Sequence, residues 1–400
     1  MKKKLTGENI QPLNLAAPAL EGILDARVAF LTNYIPLHQV PVLQLLSSAV
    51  RDLRVLLSTP IEPNRHFDVD WSGLNVSVQK TMTMRRNWTH PGFSDDLFVH
   101  VPYDTFSQLR ALKPDIILSV ELGARSAGSA LYRRFSNTAK LILCTNMSER
   151  TEQGRGAARH FLRKRLLKQA DAVTYNGPSC FQYLKQFSIP DERLFSLPYA
   201  ADDRTLNPGP VNRDDNTTRH RFLIVGQLIE RKGVIPLLQQ LNAYCKLNSH
   251  RNIEAIFAGD GPLRPQLESF QAPPNLKLTL LGHVPSHELG NWMHQCGATI
   301  APTLADEWLM VVNEALHAGL PVLGSIHAQA VTTLVKDGVN GYQYDPYIPD
   351  SIGCALNKYF ELTSEELETM RVVSRESVAN LTPSHVASCA ISAMKYTLNR

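Results

Sequence analysis

Asp306-Glu-Trp-Leu-Met-Val-Val-Asn-Glu314, running on into Ala315-Leu-His-Ala-Gly-Leu-Pro-Val322, is the stretch on which the reading of this chain turns. Asp306 and Glu314 stand on either side of an expected helix start, Asp306 in the preceding loop and Glu314 two turns in. That separation is a little over two helical turns, so both side chains face one cleft. Between them a helix N-terminus offers free N–H groups and the positive end of the helix dipole. Carboxylates for sugar and ribose hydroxyls, with a helix end for a diphosphate, suit a sugar nucleotide.

Four further pieces stand around it in order: Val225-Gly-Gln-Leu-Ile-Glu-Arg-Lys-Gly233, Ala258-Gly-Asp-Gly-Pro262, Leu281-Gly-His-Val-Pro285 and Val335-Lys-Asp-Gly-Val-Asn-Gly341. With the first stretch they resemble the Glu-x7-Glu signature and flanking loops of retaining glycosyltransferases of the two-Rossmann (GT-B) fold, family 4 (glycosyl transferases group 1). One such piece is weak; five in sequence order are hard to produce by chance. The resemblance is strong over roughly 220–346 and weak elsewhere. It implies an α/β chain with two Rossmann-like domains facing a cleft and a C-terminal helix crossing back to the first.

The resemblance also implies roles. Asp306 falls where the family contacts hydroxyls of the transferred sugar; read by itself it is a good helix cap. Glu314 falls where the family binds ribose hydroxyls; its plainer reading is a solvated helix carboxylate. It lies in an apolar run, Met310–Leu316, broken otherwise only by Asn313. A lone charge facing a core is costly, which favours the functional reading. Lys232 matches the lysine that neutralises the diphosphate. Gln227 stands where an arginine is common, and Arg231 is the candidate to supply that charge. Gly226 and Gly233 fit close backbone turns, while Gly259 and Asp260 read as a structural turn. His283 and Val284 follow the third strand, where the family holds the nucleobase through main-chain groups. The amides of Trp308, Leu309 and Met310 are expected at the donor. Leu309 is a departure, since the family has Gly there and Leu lacks its freedom. No cofactor and no metal are expected: Asp68-Val-Asp70 has a metal-type spacing but reads as a loop, and Lys232 with the helix end takes the cation's place.

Composition sets the class. Four hundred residues, 44% hydrophobic and 20% charged, suit two or three ordinary soluble domains. A net charge of +4 gives no argument for nucleic acid. The six cysteines are scattered without a CxxC pair, which reads as reduced thiols of a cytoplasmic chain. Met1-Lys-Lys-Lys4 is not followed by an apolar stretch, so no signal peptide is expected, and no run has membrane-span length. The expected place is the cytoplasm or the inner face of the membrane.

Along the chain, residues 1–26 read as an arm, 27–205 as the acceptor domain, 206–219 as a linker, 220–380 as the nucleotide-sugar domain and 381–400 as the crossover helix. Expected strands in the first domain are Arg27–Thr32, Leu53–Leu57, Pro114–Ser119, Lys140–Cys144 and Asp171–Thr174, with residues 60–100 irregular. Those of the second are Phe222–Val225, Glu254–Ala258, Lys277–Leu281, Ala298–Ala301 and Pro321–Gly324. Short apolar strands alternating with helices predict parallel sheets covered on both faces.

The acceptor half is less legible. His38, in a glycine-free loop after the first strand, and Glu121, after the Ile116–Ser119 strand, lie at carboxyl edges. Cys144–Arg150 lacks the histidine that the family often carries, leaving Glu149 and Glu152 as substitutes. Residues 154–168 form a basic amphipathic helix, with Arg155, Arg159, Arg163 and Lys164 beside Phe161, Leu162, Leu166 and Leu167. It suits either an anionic membrane face or ordinary packing on its own sheet. The expected function is retaining transfer of a hexosyl unit from a nucleotide sugar to a glycan or lipid-linked glycan acceptor in surface polysaccharide synthesis. Alternatives are an epimerase or phosphorylase on the same fold, or a catalytically weak protein that binds sugar nucleotide as a partner subunit.

Overall fold

A computed structural model describes residues 22–63, 65, 70–202, 206 and 215–400. The first domain is built on a seven-stranded parallel sheet. Its strands are β1 (Leu24–Thr32), β2 (Val50–Leu57), β3 (Asn75–Val78), β6 (Ile116–Val120), β7 (Lys140–Thr145), β8 (Ala172–Tyr175) and β9 (Leu194–Ser196). Runs such as Ile116-Ile-Leu118 are buried throughout because helices cover both faces, which is why they read as unbroken apolar segments. The spatial order 3-2-1-6-7-8-9 reverses direction between β1 and β6.

The second domain has six parallel strands, β10 (Arg221–Val225), β11 (Ile253–Ala258), β12 (Leu276–Gly282), β13 (Ala298–Ala301), β14 (Val322–Ser325) and β15 (Gly341–Tyr344). Their order, 12-11-10-13-14-15, reverses between β10 and β13. Open α/β sheets bind ligands at the carboxyl edge where the order reverses. That rule selects the loops after β10 and β13 in one domain and after β1 and β6 in the other.

The expected strands and the parallel class agree with the structure to within a few residues. β1 starts at Leu24, so the last residues assigned to the arm belong to the sheet, with Ala26 fully buried. Most of the expected linker lies outside the described residues; Asp215–Thr218 is one helical turn. The helix Pro383–Leu398 crosses back as expected, and its Val386, Ala390, Ile391 and Met394 share a core with Phe30, Leu43 and Leu118.

Residues 60–100, expected to be irregular, hold β3 and an antiparallel hairpin, β4 (Thr81–His90) with β5 (Phe93–Pro102). Its tip is Pro91-Gly92, a turn dipeptide between two residue runs. The hairpin leaves the first sheet and reaches the second domain, where Trp88 and Phe93 pack on Leu304 and Ala305. β9 and β15 are two short strands beyond the expected set.

Candidate functional site

The loop after β10 closes as a 3-10 turn over Glu230–Lys232, ended by Gly233 at φ 68°. A Cβ at Gly233 would stand 2.1 Å from the Pro302 carbonyl, so only glycine lets this loop pack against the segment after β13. That contact brings the two loops together. Lys232 Nζ donates to Asp306 Oδ2 at 2.6 Å, and Arg231 Nη1 reaches the same oxygen at 3.2 Å. The other oxygen, Oδ1, accepts the Trp308 amide at 3.2 Å. Burial opposes ionisation of Asp306, but Lys232 and Arg231 outweigh it and hold the carboxyl down at about 2. Burial also depresses Lys232, with Asp306 working against the shift.

Asp306 caps no helix, because the helix begins later, at Val311. Glu314 therefore sits in the first turn of Val311–His317, not two turns in as expected. Its carboxylate makes no side-chain hydrogen bond or ion pair among the described residues. Burial without a donor pushes the carboxyl up to about 7.

Leu309 adopts φ 86°, the left-handed region that glycine favours, while its side chain stays buried in the core under the site. Leucine lacks glycine's freedom, yet the chain keeps the glycine-like turn here. The strain costs roughly 1–2 kcal/mol, comparable with the roughly 2 kcal/mol from burying a leucine. The Leu309 and Met310 amides have no partner among the described residues. At Trp308 only the amide departs from expectation; its side chain takes the packing role equally open to it. Its amide serves Asp306, and its ring, 3% exposed, donates from Nε1 to Asn313 Oδ1 at 2.7 Å and lies against Gly177. It is a wedge between the domains.

Arg231, expected at the donor diphosphate, is held elsewhere. Its Nε donates to Asp95 Oδ2 on β5 at 2.5 Å while its Nη1 reaches Asp306. The Ser94 amide donates to Glu230 beside it at 3.0 Å. Gly226 lines the same loop, with its open side toward the Lys232 stem, and Gln227 is half-buried next to it. Gly259 is the structural turn expected, its amide donating to the Gly282 carbonyl at 2.7 Å. His283 is exposed and Val284 half-buried at the end of β12, the far edge strand, two strands away from β10. Among the described residues no cluster of three or more His, Cys, Asp or Glu is arranged to hold a metal. Asp68 lies outside the described residues.

On the first domain, His38 lies in the turn after β1, its ring edge-on to Tyr199 at 5.4 Å. Burial, helped by Arg65, lowers His38 to about 4, so it is neutral at pH 7. Glu121 ends β6 at φ 66° and accepts Asn33 Nδ2 at 3.1 Å. Buried Arg125 steadies that edge through Asn33 at 2.6 Å and Ser58 at 2.7 Å. Glu149 is exposed and lines a separate cavity of ≈ 220 Å³ with Arg155, His160 and Tyr183. Glu152 is spoken for by an ion pair with Arg163.

The helix at 154–168 begins at Ala157 and ends at Gln169. Its faces differ from the expectation. Leu166, Leu167 and the paired Arg163 point inward, whereas Phe161 (61% exposed) and Leu162 (38%) face outward with Lys164, Arg165 and Lys168. Arg155 precedes the helix and stacks over Trp88 at 4.0 Å.

Sequence reasoning missed the inter-domain residues. Asn176 Nδ2 donates to the Glu307 carbonyl at 3.0 Å, Asn313 Nδ2 to the Tyr199 carbonyl at 3.0 Å, and Gln329 Nε2 to the Asn146 carbonyl at 2.8 Å. Pairs like these leave no local pattern. The hairpin that brings Asp95 to Arg231 did have a signal in Pro91-Gly92.

Two facing parallel-sheet domains, with a lysine–carboxylate site at the switch point of the second, define the GT-B architecture of glycosyltransferases. Residues 219–361, most of the second domain, match the model of the glycosyl transferases group 1 family. An uncharacterized glycosyltransferase of Methanocaldococcus jannaschii is 29% identical over 139 residues, 34% of this chain and 35% of that one. The alpha-D-kanosaminyltransferase of Streptomyces kanamyceticus is 25% identical over 216 residues, 51% of this chain and 54% of that one. The chain thus spans between a third and just over half of these relatives' lengths. Anabaena HepE, solved with UDP-glucose, superposes with a TM-score of 0.68 at 15% identity, covering 92% of this chain and 100% of HepE. The lipopolysaccharide outer core galactosyltransferase WaaB gives 0.67 at 13% identity, covering 92% and 99%. These superpositions share the fold.

Proposed function

We propose that the protein is a retaining glycosyltransferase that moves a hexosyl unit from a nucleotide sugar to a glycan or lipid-linked glycan acceptor in surface polysaccharide synthesis. One observation carries the reading: Lys232 and Asp306 meet at the β10/β13 switch point, with unpartnered Glu314 in the helix that follows. In this reading Glu314 accepts the ribose hydroxyls. The Leu309 and Met310 amides and the Lys232 ammonium receive the diphosphate, and Asp306 exchanges part of its ion pair for sugar hydroxyls. As the glycosidic bond lengthens, charge gathers on the leaving phosphate, where fixed cationic and N–H groups lower the barrier. The acceptor hydroxyl enters from the same face, held by the first domain, so positioning replaces a covalent intermediate. The protein's own cation supplies the charge that a metal would.

The acceptor's setting is read from the first domain's outer face. Thr105–Leu112, Ala124–Phe135 and Ala157–Gln169 pack in succession and contain no Asp or Glu. They expose Arg110, Arg134, Lys164, Arg165 and Lys168 around Leu131, Phe135, Phe161 and Leu162. Cations around exposed apolar groups suit an anionic membrane surface, where each basic residue near the surface is worth about 1 kcal/mol. No described helix is long and apolar enough to cross a membrane.

A second reading, a sugar-nucleotide-binding partner subunit without turnover, is favoured by the grip of both Lys232 and Arg231 on Asp306. Calorimetric titration with UDP-, GDP- and ADP-sugars in the absence of metal, alongside Glu314→Ala, tests both. One donor is expected to bind saturably and to lose binding in the variant. Binding with no transfer to any acceptor extract supports the subunit reading. No binding across the panel refutes both.

A further inference from the structure

Behind His38 the first domain encloses a cavity of ≈ 70 Å³ between its sheet, the Val40–Ala49 helix and the crossover helix. A water needs about 10–15 Å³ on this measure, so the space holds about five waters, or one six-membered ring. Its floor is apolar: Phe30, Leu43, Leu46, Leu118, Val386 and Ala390. Its rim is polar, with His38, Gln39, Asn146, Thr174, Asn176 and Tyr199 toward the carboxyl edge of the sheet.

Four buried side-chain atoms of the lining have no partner: His38 Nε2, Gln39 Oε1, Thr174 Oγ1 and Asn176 Oδ1. Asn176 is 2% exposed; its Nδ2 is committed to the Glu307 carbonyl, and its Oδ1 bonds to nothing. His38 Nε2 is likewise buried and unpaired. An unsatisfied buried polar atom is costly, so a cavity that keeps four of them is shaped for something other than packing. A ligand hydroxyl suits either of two of these atoms: it can donate to Asn176 Oδ1 or pair with the neutral imidazole of His38. The rim also adjoins the donor loop. His38 lies edge-on to Tyr199, and Tyr199 packs at 5.8 Å on Trp308, which follows Asp306 in that loop.

We propose that this cavity is an acceptor subsite for an apolar, hydroxyl-bearing group of about one ring, so that the acceptor carries a non-sugar or deoxygenated moiety beside its reacting hydroxyl. The assignment rests on the transferase reading. A fully hydroxylated sugar ring does not fit such a floor, because most of its hydroxyls would be buried without partners. An alicyclic, phenolic or branched alkyl alcohol does.

The test uses cyclohexanol as probe and myo-inositol, the same ring hydroxylated all round, as control. Both are titrated into the full chain by saturation-transfer NMR. Ala390→Leu fills the cavity floor, and Ala390→Val fills part of it should the larger side chain fail to fold. Cyclohexanol is expected to bind saturably and myo-inositol not to. The Ala390 variants weaken cyclohexanol at least tenfold and leave nucleotide-sugar affinity unchanged. Absence of cyclohexanol binding, equal binding of myo-inositol, or affinity unchanged in both variants would overturn the subsite. Failure of the wild type to bind any nucleotide sugar while cyclohexanol still binds would instead refute the transferase reading and leave the cavity as a binding site.

Discussion

Replacing Glu314 by Gln is expected to stabilise the protein while disabling it. In the free protein burial holds the Glu314 carboxyl at about 7, against 4.5 for the ordinary group. A carboxyl raised in the fold keeps its proton where the unfolded chain has lost it. Its contribution to stability is therefore full below pH 4.5 and falls away as pH rises through 7. The gap of two and a half pH units corresponds to about 3 kcal/mol at most. Ribose hydroxyls need the ionised acceptor, so donor binding runs the other way. About a tenth of the groups are ionised at pH 6 and most at pH 8, so affinity is expected to rise about tenfold between them, about 1.4 kcal/mol. The diphosphate of a nucleotide sugar has no ionisation in that window to confuse the result. Glu314→Gln at pH 8 should raise the urea midpoint, flatten the pH dependence of stability between 5 and 8, and weaken the donor at least tenfold. A donor affinity that is flat from pH 6 to 8 in the wild type, together with an unmoved urea midpoint in the variant, would refute the reasoning about this carboxylate.

Lys232→Met removes the cation assigned to the leaving phosphate and should lower kcat/KM for transfer by about two to three orders of magnitude, measured with the donor identified by titration. At position 309 the usual order of substitutions should invert. Glycine relieves the left-handed strain and alanine keeps it, so Leu309→Gly should be more stable than Leu309→Ala by about 1 kcal/mol in urea unfolding, with both below wild type. Phe161→Ser combined with Arg165→Glu should strip the protein from vesicles containing phosphatidylserine while leaving donor affinity unchanged; equal sedimentation of variant and wild type would argue against the membrane face.

Legibility differed between the domains for a physical reason. The groups assigned to the donor in the second domain are set by short local patterns: a strand, a glycine turn and a lysine, or a loop carboxylate before a helix. Those patterns sit within nine-residue windows such as Val225–Gly233 and Asp306–Glu314. The parallel sheets were legible because the central stretches of β1, β6 and β10, such as Val28–Leu31, Ile116–Leu118 and Phe222–Ile224, are buried on both faces and are apolar. Where side chains end up across the domain interface was not. Arg231 reads as one more cation beside Lys232, and only the distant Asp95 explains its direction. The faces of Ala157–Gln169 were misjudged for a similar reason. Arg163 follows the spacing of an exposed cation, yet Glu152 draws it inward, while Phe161 is turned out. Leu309 shows the opposite limit: the residue type argued against a left-handed turn, and burial of its side chain offsets the strain.

Arg231 has two masters. One is Asp95, on a hairpin that belongs to the first domain; the other is Asp306, on the loop after β13 in the second. A guanidinium shared in this way makes the two domains count the same charge. Any polyanion that draws Arg231 toward itself loosens its hold on Asp95, and any opening of the hairpin leaves Arg231 freer to meet a polyanion. Because such coupling is reciprocal, under the proposed function the width of the cleft and its hold on a diphosphate would be two readings of one equilibrium.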